Sequence, residues 1–96
     1  MTDHRLLLLC PEDNCLAVGA SLAAGAEFEV EGEHMRTPQA ISIGHKLARR
    51  DIAVGEKILK YGAVIGSATR PIRRGELVHL HNLASDYIPT YTLPAA

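Results

Sequence analysis

The chain has 96 residues, of which 47% are apolar and 22% charged, a composition typical of a folded domain rather than a disordered segment. Its net charge of −1 and its pI of about 6.5 argue against a general affinity for nucleic acids or anionic membranes. The apolar run "RLLLLC" is too short to span a bilayer or to act as a signal peptide, so we expect one cytoplasmic domain. Cys10 and Cys15 lack the spacing of a zinc-type pair, and we expect both to be reduced.

Short apolar and β-branched runs separated by glycine make up the chain, and no long segment has the helical period. These runs predict strands at 5–10, 16–19, 27–31, 45–50, 57–60, 64–68 and 77–81. The segments "VEGEH" at 30–34 and "YGAVIG" at 61–66 are typical of tight hairpin turns. The pattern as a whole predicts a small all-β barrel or sandwich with little or no helix.

A short internal repeat accompanies the strands. The segments "SLAAGAEF" at 21–28, "DIAVGEKI" at 51–58 and "PIRRGELV" at 71–78 share an apolar residue, two variable residues, a glycine, two more residues and a second apolar residue. The aligned glycines are Gly25, Gly55 and Gly75, and the aligned leading residues are Leu22, Ile52 and Ile72. A glycine just before a strand favours a turn with positive φ, so we predict one turn type used three times, each with its leading side chain in the core.

The stretch "ELVHLHNL" at 76–83 holds two histidines, His79 and His81, two positions apart. If 77–81 is a strand, both imidazoles lie on one face, and Val78 and Leu80 lie on the opposite face in the core. His-x-His on a strand can offer two nitrogens to one metal, or serve in proton transfer. Solvent-facing histidines of an ordinary strand are the alternative, and the spacing alone leaves both open.

Other polar residues could complete such a site. His45 follows Gly44 at the start of a predicted strand, and three imidazoles, or two and the carboxylate of Asp51, would make an open metal site. Lys46 and Lys60 could bind a substrate carboxylate. The alternatives are a turn-capping role for His45, solvated surface lysines, and half-buried packing for Tyr61 at the turn "LKYG".

The series "GHK", "DIAVGE", "LKYG" and "GELVHLHN" within residues 44–83 resembles the N-terminal module of altronate and galactarate dehydratases, a SAF domain with a β-clip fold. A similar module forms the small subunit of sulfolactate sulfo-lyase. The resemblance implies a SAF-like β-clip domain over 1–88, and the Pro-containing end "YIPTYTLPAA" predicts an extended tail over 89–96. It also implies a lyase that removes water from a 2-hydroxy acid with the help of a divalent metal such as iron.

The resemblance also implies roles for individual residues. His45, His79 and His81 would be the catalytic residues and metal ligands, and Lys46, Lys60, Tyr61 and Asn82 would bind substrate. The resemblance implies a small sugar-acid substrate, and a homo-oligomer is a further expectation. Because the full dehydratases are much larger, we also expect a larger catalytic subunit as partner and little activity of this chain alone. The alternatives are a carbohydrate-binding or subunit-assembly module without catalysis, and the small subunit of a sulfolactate sulfo-lyase.

Overall fold

A computed structural model describes residues 1–85, and these residues form short β-strands without a helix, which confirms the all-β prediction. The strands are β1 Leu6–Leu7, β2 Cys15–Val18, β3 Glu27–Val30, β4 Glu33–Arg36, β5 Lys46–Ala48, β6 Lys57–Lys60, β7 Ala63–Ala68, β8 Leu77–Val78 and β9 Leu83–Ala84. Within that range no helical segment has the length and apolarity needed to cross a membrane. The tail predicted at 89–96 lies outside the described residues.

Three small antiparallel sheets make up the fold. A four-stranded sheet has the order β1-β2-β5-β8, a second sheet is the hairpin β3-β4, and a third has the order β6-β7-β9. The two central strands of the four-stranded sheet pair Leu16 with Leu47 and Ala17 with Lys46. Because side chains alternate along a strand, these strands contribute core residues to both faces of the sheet.

Each face of this sheet carries its own hydrophobic cluster. The first cluster consists of the buried residues Leu6, Leu16, Val18, Leu22, Phe28, Val30, Ile41 and Leu47. The second consists of Cys15, Ala48, Ile52, Ile58, Ala68, Ile72 and Val78. The hairpin β3-β4 packs into the first cluster through Phe28 and Val30, and β6-β7 packs into the second through Ile58 and Ala68. The four-stranded sheet therefore lies between two hairpins.

The predicted glycine turns are confirmed. Gly25, Gly55 and Gly75 have φ of 82°, 83° and 84°, and the leading residues Leu22, Ile52 and Ile72 are all buried. The structure shows a fourth turn of this type that was not predicted from the internal repeat. Ile41, Gly44 and Leu47 occupy the matching positions, and the glycine has a φ of 96°.

The four turns pair two by two and reveal an internal duplication. Leu22 and Ile41 exchange backbone hydrogen bonds of 2.8 Å in both directions, and Ile52 and Ile72 do the same at 2.7 and 2.9 Å. A hairpin lies between the members of each pair, β3-β4 in the first and β6-β7 in the second. The chain therefore folds as two similar halves that share β5.

Both predicted hairpin turns are present and have the same geometry. Val30 pairs with Glu33 and Lys60 with Ala63, so each loop has two residues, Glu31–Gly32 and Tyr61–Gly62. All four loop residues have positive φ, between 52° and 89°. This is the type I′ turn, whose twist matches the twist of the flanking strands.

Two sequence predictions are wrong in detail. The predicted strand 77–81 ends at Val78, and residues 79–82 form a turn in which the Asn82 N–H donates to the His79 carbonyl at 3.0 Å. Leu80, expected in the core, has 79% of its surface exposed. Strands β4 and β9 were also missed, because β4 has a polar sequence and β9 has only two residues.

Candidate functional site

Two of the three predicted site histidines lie side by side. Lys46 on β5 pairs with Val78 on β8, so His45 and His79, the neighbouring residues, lie opposite each other. Their ring centroids are 5.4 Å apart with an interplanar angle of 54°. The pair lies at the start of β5, where His45 is half-buried and His79 is exposed.

The His45 ring has a defined hydrogen-bond partner. Its Nδ1 lies 3.2 Å from the carbonyl oxygen of Ser42. Because a carbonyl only accepts, this contact requires a proton on Nδ1, which leaves the lone pair of Nε2 available to a proton or a metal. The glycine turn 41–47 therefore both places the ring and selects its tautomer.

His81 lies apart from the pair. It lines a groove of about 360 Å³ between the β3-β4 hairpin and the Gly75 turn. The apolar side chains that line this groove include Phe28, Met35 and Leu77. Within residues 1–85 no three His, Cys, Asp or Glu side chains are arranged to hold a metal ion. His45 and His79 could supply two imidazoles to a metal only if other ligands came from outside this range. Asp51 is engaged elsewhere, because its Oδ1 accepts the Arg74 N–H at 2.9 Å.

Lys46 and Lys60 form a second cluster with the buried Cys15. Both lysines are half-buried, and among residues 1–85 neither ammonium group has a hydrogen-bond or carboxylate partner. Burial lowers the pKa of Lys46; the nearby Cys15 opposes this shift, and the positive charge of Lys60 adds to it. Burial also raises the pKa of Cys15 to about 11, so the thiol stays neutral and donates to the Leu59 carbonyl at 3.2 Å.

The imidazole pair and the lysine cluster lie on opposite sides of β5. Leu47 and Leu77 pack with the first cluster, whereas Ala48 and Val78 belong to the second. Alternation along the strands therefore directs Lys46 toward the second cluster, and His45 and His79 toward the side of the first. The two groups border the same end of β5 from its two faces.

Tyr61 is exposed rather than packed, so its interpretation as a half-buried packing residue is wrong. Its side chain has 72% of its surface exposed, and its φ is 61°. It directly follows Lys60 at the tip of the β6-β7 hairpin. The structure thus places an exposed phenol beside one member of the lysine cluster.

Asn82, predicted to bind substrate, is fully buried in the turn that carries His79. Its Oδ1 accepts the His79 N–H at 2.9 Å, and its Nδ2 donates to the Leu77 carbonyl at 2.9 Å. These bonds end the β5-β8 ladder after Val78. The side chain therefore holds His79 in place from within the domain.

Asp13 and Asn14, which are both buried, were not among the predicted site residues. Their side chains bond to the backbone of β6 and of the turn that follows it. The polar segment "PEDN" between two apolar runs was the available signal.

Comparison with known proteins places this geometry in a family. Residues 4–86 match the model of the altronate/galactarate dehydratase SAF domain. Over 70 residues the chain is 41% identical to altronate dehydratase of Escherichia coli strain K12, covering 73% of this chain and 14% of that relative. Over 57 residues it is 54% identical to (2R)-sulfolactate sulfo-lyase subunit alpha of Chromohalobacter salexigens, covering 59% of this chain and 53% of the relative.

A further relative matches along almost the whole chain. Galactarate dehydratase (L-threo-forming) of E. coli strain K12 is 38% identical over 96 residues, which is 99% of this chain and 16% of that relative. The chain thus spans about one seventh of the altronate dehydratase and about half of the sulfo-lyase subunit. It belongs to the altronate/galactarate dehydratase SAF-domain family.

Proposed function

We propose that the chain is the small component of a sugar-acid dehydratase, and that it helps a larger polypeptide to eliminate water from a 2-hydroxy acid. The observation that carries the proposal is the pair of half-buried lysines without a counter-charge within residues 1–85. Two like charges next to a buried thiol are unfavourable unless an anion joins them. A substrate carboxylate would supply that anion, with charge-assisted hydrogen bonds to both ammonium groups.

The imidazole pair suits the proton transfers of such an elimination. A base removes the proton from the carbon next to the carboxylate, and an acid protonates the hydroxyl on the following carbon so that it leaves as water. The enol that forms then tautomerises to a 2-keto acid. His45, with its Nε2 lone pair available, can act as the base, and the exposed His79 can exchange protons with it or with solvent.

A divalent metal is compatible with the pair but would need further ligands. Such an ion would supply Lewis-acid assistance to the loss of the hydroxyl. In that arrangement Nε2 of His45 would hold the metal instead of acting as the base, His79 would supply a second ligand, and the larger polypeptide would supply the base and the remaining ligands.

The relatives support a role with a larger polypeptide. In the two E. coli dehydratases the matched part is 14% and 16% of a longer chain, and the sulfo-lyase relative is named as a subunit. By analogy, we propose that the substrate binds between this domain and a larger lyase body.

Co-expression with the large lyase polypeptide of the same organism tests the proposal. We expect turnover of altronate or galactarate only with both components, and a loss of at least tenfold in kcat/KM for Lys46→Gln or Lys60→Gln. Lys57→Gln, on the same strand as Lys60, is the matched control and should retain the rate. Full activity of the large polypeptide without this chain would contradict the proposal.

A sulfo-lyase subunit is the second candidate, and the 54% identity to sulfolactate sulfo-lyase subunit alpha favours it. The same lysines would bind the carboxylate of sulfolactate, and sulfite would leave instead of water. Assaying sulfite release from sulfolactate beside the two dehydrations separates the candidates. If the lysine and histidine variants all retain the rate of the assembled enzyme, the domain is a binding or assembly module without a catalytic role.

A further inference from the structure

The carboxylate of Asp13 is buried against the tip of the β6-β7 hairpin. Its Oδ2 accepts the Tyr61 N–H at 2.8 Å, and its Oδ1 accepts the Gly62 N–H at 2.7 Å. Only 2% of the residue's surface is exposed. Both oxygens thus bind the two central residues of the type I′ turn.

The next two side chains extend this contact along β6. Asn14 accepts the Leu59 N–H at 2.9 Å and donates to the Lys57 carbonyl at 2.8 Å. The Cys15 thiol donates to the Leu59 carbonyl. Three consecutive side chains therefore hold the strand that ends in Lys60.

The duplicated half of the molecule shows that the fold does not require a carboxylate here. In the equivalent turn the Glu31 N–H donates to the hydroxyl of Thr2 at 3.1 Å, and the Gly32 N–H donates to the Met1 carbonyl at 2.9 Å. The geometry is the same, yet both acceptors are neutral. Hydrogen bonds to a charged acceptor are stronger, so the Tyr61 turn is held more firmly than its counterpart.

Tyrosine, like Glu31 in the equivalent turn, is unusual at this position. Type I′ turns favour Asn, Asp or Gly at both central positions, because side chains with a bulky Cβ substituent are disfavoured at positive φ. The ring is mostly exposed, so its packing within residues 1–85 does not compensate for this cost. Because Glu31 has the same conformation, the buried carboxylate of Asp13 and the neighbouring Lys60, rather than the backbone strain, distinguish the Tyr61 turn.

We propose that Asp13 is a positioning residue that fixes Tyr61 and Lys60 beside Lys46, so that the phenol and the two ammonium groups form one surface for the carboxylate end of a hydroxy acid. The inference rests on the proposed function, and adds to it that Asp13 positions the residues of the surface. Asp13 acts through the turn and does not touch the ligand.

Titration with galactarate of the chain alone and of its complex with the co-expressed large polypeptide tests the proposal, with the amide NMR shifts of residues 59–62 as the readout. We expect the wild-type chain to bind and Asp13→Asn to bind about tenfold more weakly, because an amide offers one acceptor where the turn needs two. Thr2→Ala removes the equivalent acceptor in the other hairpin and should lower the melting temperature without changing the affinity. Tyr61→Phe should retain the melting temperature and lose affinity.

The outcomes separate the two proposals. Absence of galactarate binding by the wild type both alone and in the complex contradicts the carboxylate site, and with it the surface assigned to Asp13. Binding by the wild type and equally by Asp13→Asn overturns the role of Asp13 alone. Tyr61→Asn supplies a variant that keeps the fold, since Asn suits the turn; it should bind more weakly, and unchanged affinity would overturn the role of the phenol.

Discussion

At the residue scale, single buried polar side chains determine where the exposed site residues lie. Asn82 stops the β5-β8 ladder and holds the backbone of His79, while Asp13 and Asn14 hold β6 and its turn. Each of these side chains forms hydrogen bonds with backbone groups of a strand or of the turn next to it. The imidazole pair and the lysine cluster are therefore positioned by polar side chains that are themselves buried.

Replacement of Asn82 by alanine should destabilise the domain and separate the imidazoles. The change removes the buried partner of the His79 N–H and the Leu77 carbonyl, at a cost of about 1–3 kcal/mol, because both bonds are partly buried. Urea unfolding measures the loss, and NOEs between the rings of His45 and His79 report their distance. His81→Ala, in the same turn but exposed, is the control and should change the stability by less than about 0.5 kcal/mol. An unchanged ring distance in Asn82→Ala would contradict the role given to Asn82.

Asp3 should determine part of the stability at low pH. Hydrogen bonding to the Arg5 side chain lowers the pKa of Asp3 from 3.8 to about 2, against an opposing effect of burial. Since the unfolded chain binds this proton more readily, the pair stabilises the fold above about pH 4, and the stabilisation is lost as the pH falls toward 2.

Asp3→Asn is the variant that tests this dependence. Because the ion pair is partly exposed, we expect a loss of about 1 kcal/mol at pH 7 and a smaller loss at pH 2. Unfolding free energies measured from pH 2 to 7 should converge for the two proteins at the acid end. A constant difference across that range would show that the charge of Asp3 is not the cause.

At the element scale, the four glycine turns share one backbone conformation but differ in the space around the glycine. A Cβ at Gly25, Gly44 or Gly55 would meet nothing within 4 Å, whereas a Cβ at Gly75 would lie 1.8 Å from Met35 Sδ. Gly75 therefore does two things, because it allows the positive φ and lets the β3-β4 hairpin approach. This approach forms one wall of the groove that contains His81.

Gly75→Ala should cost more stability than Gly55→Ala. Both substitutions place a Cβ at a φ near 84°, which costs about 1–2 kcal/mol. Gly75→Ala must in addition displace the end of the flexible Met35 side chain, which should add about 0.5–1 kcal/mol. Chemical denaturation measures both variants. In a Met35→Ala background the two glycine substitutions should cost the same, and a difference that persists there would exclude Met35 as its cause.

Sequence patterns predicted the turns that depend on neighbouring residues of the chain. They did not predict features that depend on contacts with side chains or strands elsewhere in the fold. Three of the four glycine turns and both hairpin turns follow from chain neighbours alone, so their positions were predicted correctly; the turn at Gly44 was not predicted. The strand expected at 77–81 ended early because Asn82 folds back on His79, a contact that alternation does not reveal. Likewise, the approach of His45 to His79 depends on the β5-β8 register, which joins segments far apart in the chain. The roles of His45, Lys46, Lys60, His79 and His81 stay predictions.

At the scale of the whole molecule, two hydrophobic clusters depend on the same two strands. β2 contributes Leu16 and Val18 to the first cluster and Cys15 to the second, while β5 contributes Leu47 to the first and Ala48 to the second. Loss of either cluster would leave one face of these strands exposed. Although the fold is a duplication, its halves share a strand and cannot separate as independent domains.

The duplicated positions Leu22 and Ile52 test this coupling. Each is almost fully buried, Leu22 in the first cluster and Ile52 in the second, and each forms one backbone bridge to its partner turn. Truncation to alanine should cost about 2–4 kcal/mol in either case, a large part of the stability of a domain of this size. We expect each variant to unfold in a single urea transition, because β2 and β5 transmit the loss from one cluster to the other. NMR methyl signals from the two clusters should therefore disappear at the same urea concentration. If the signals of the damaged cluster vanish first while those of the other cluster persist, the halves unfold separately and the shared strands do not couple them.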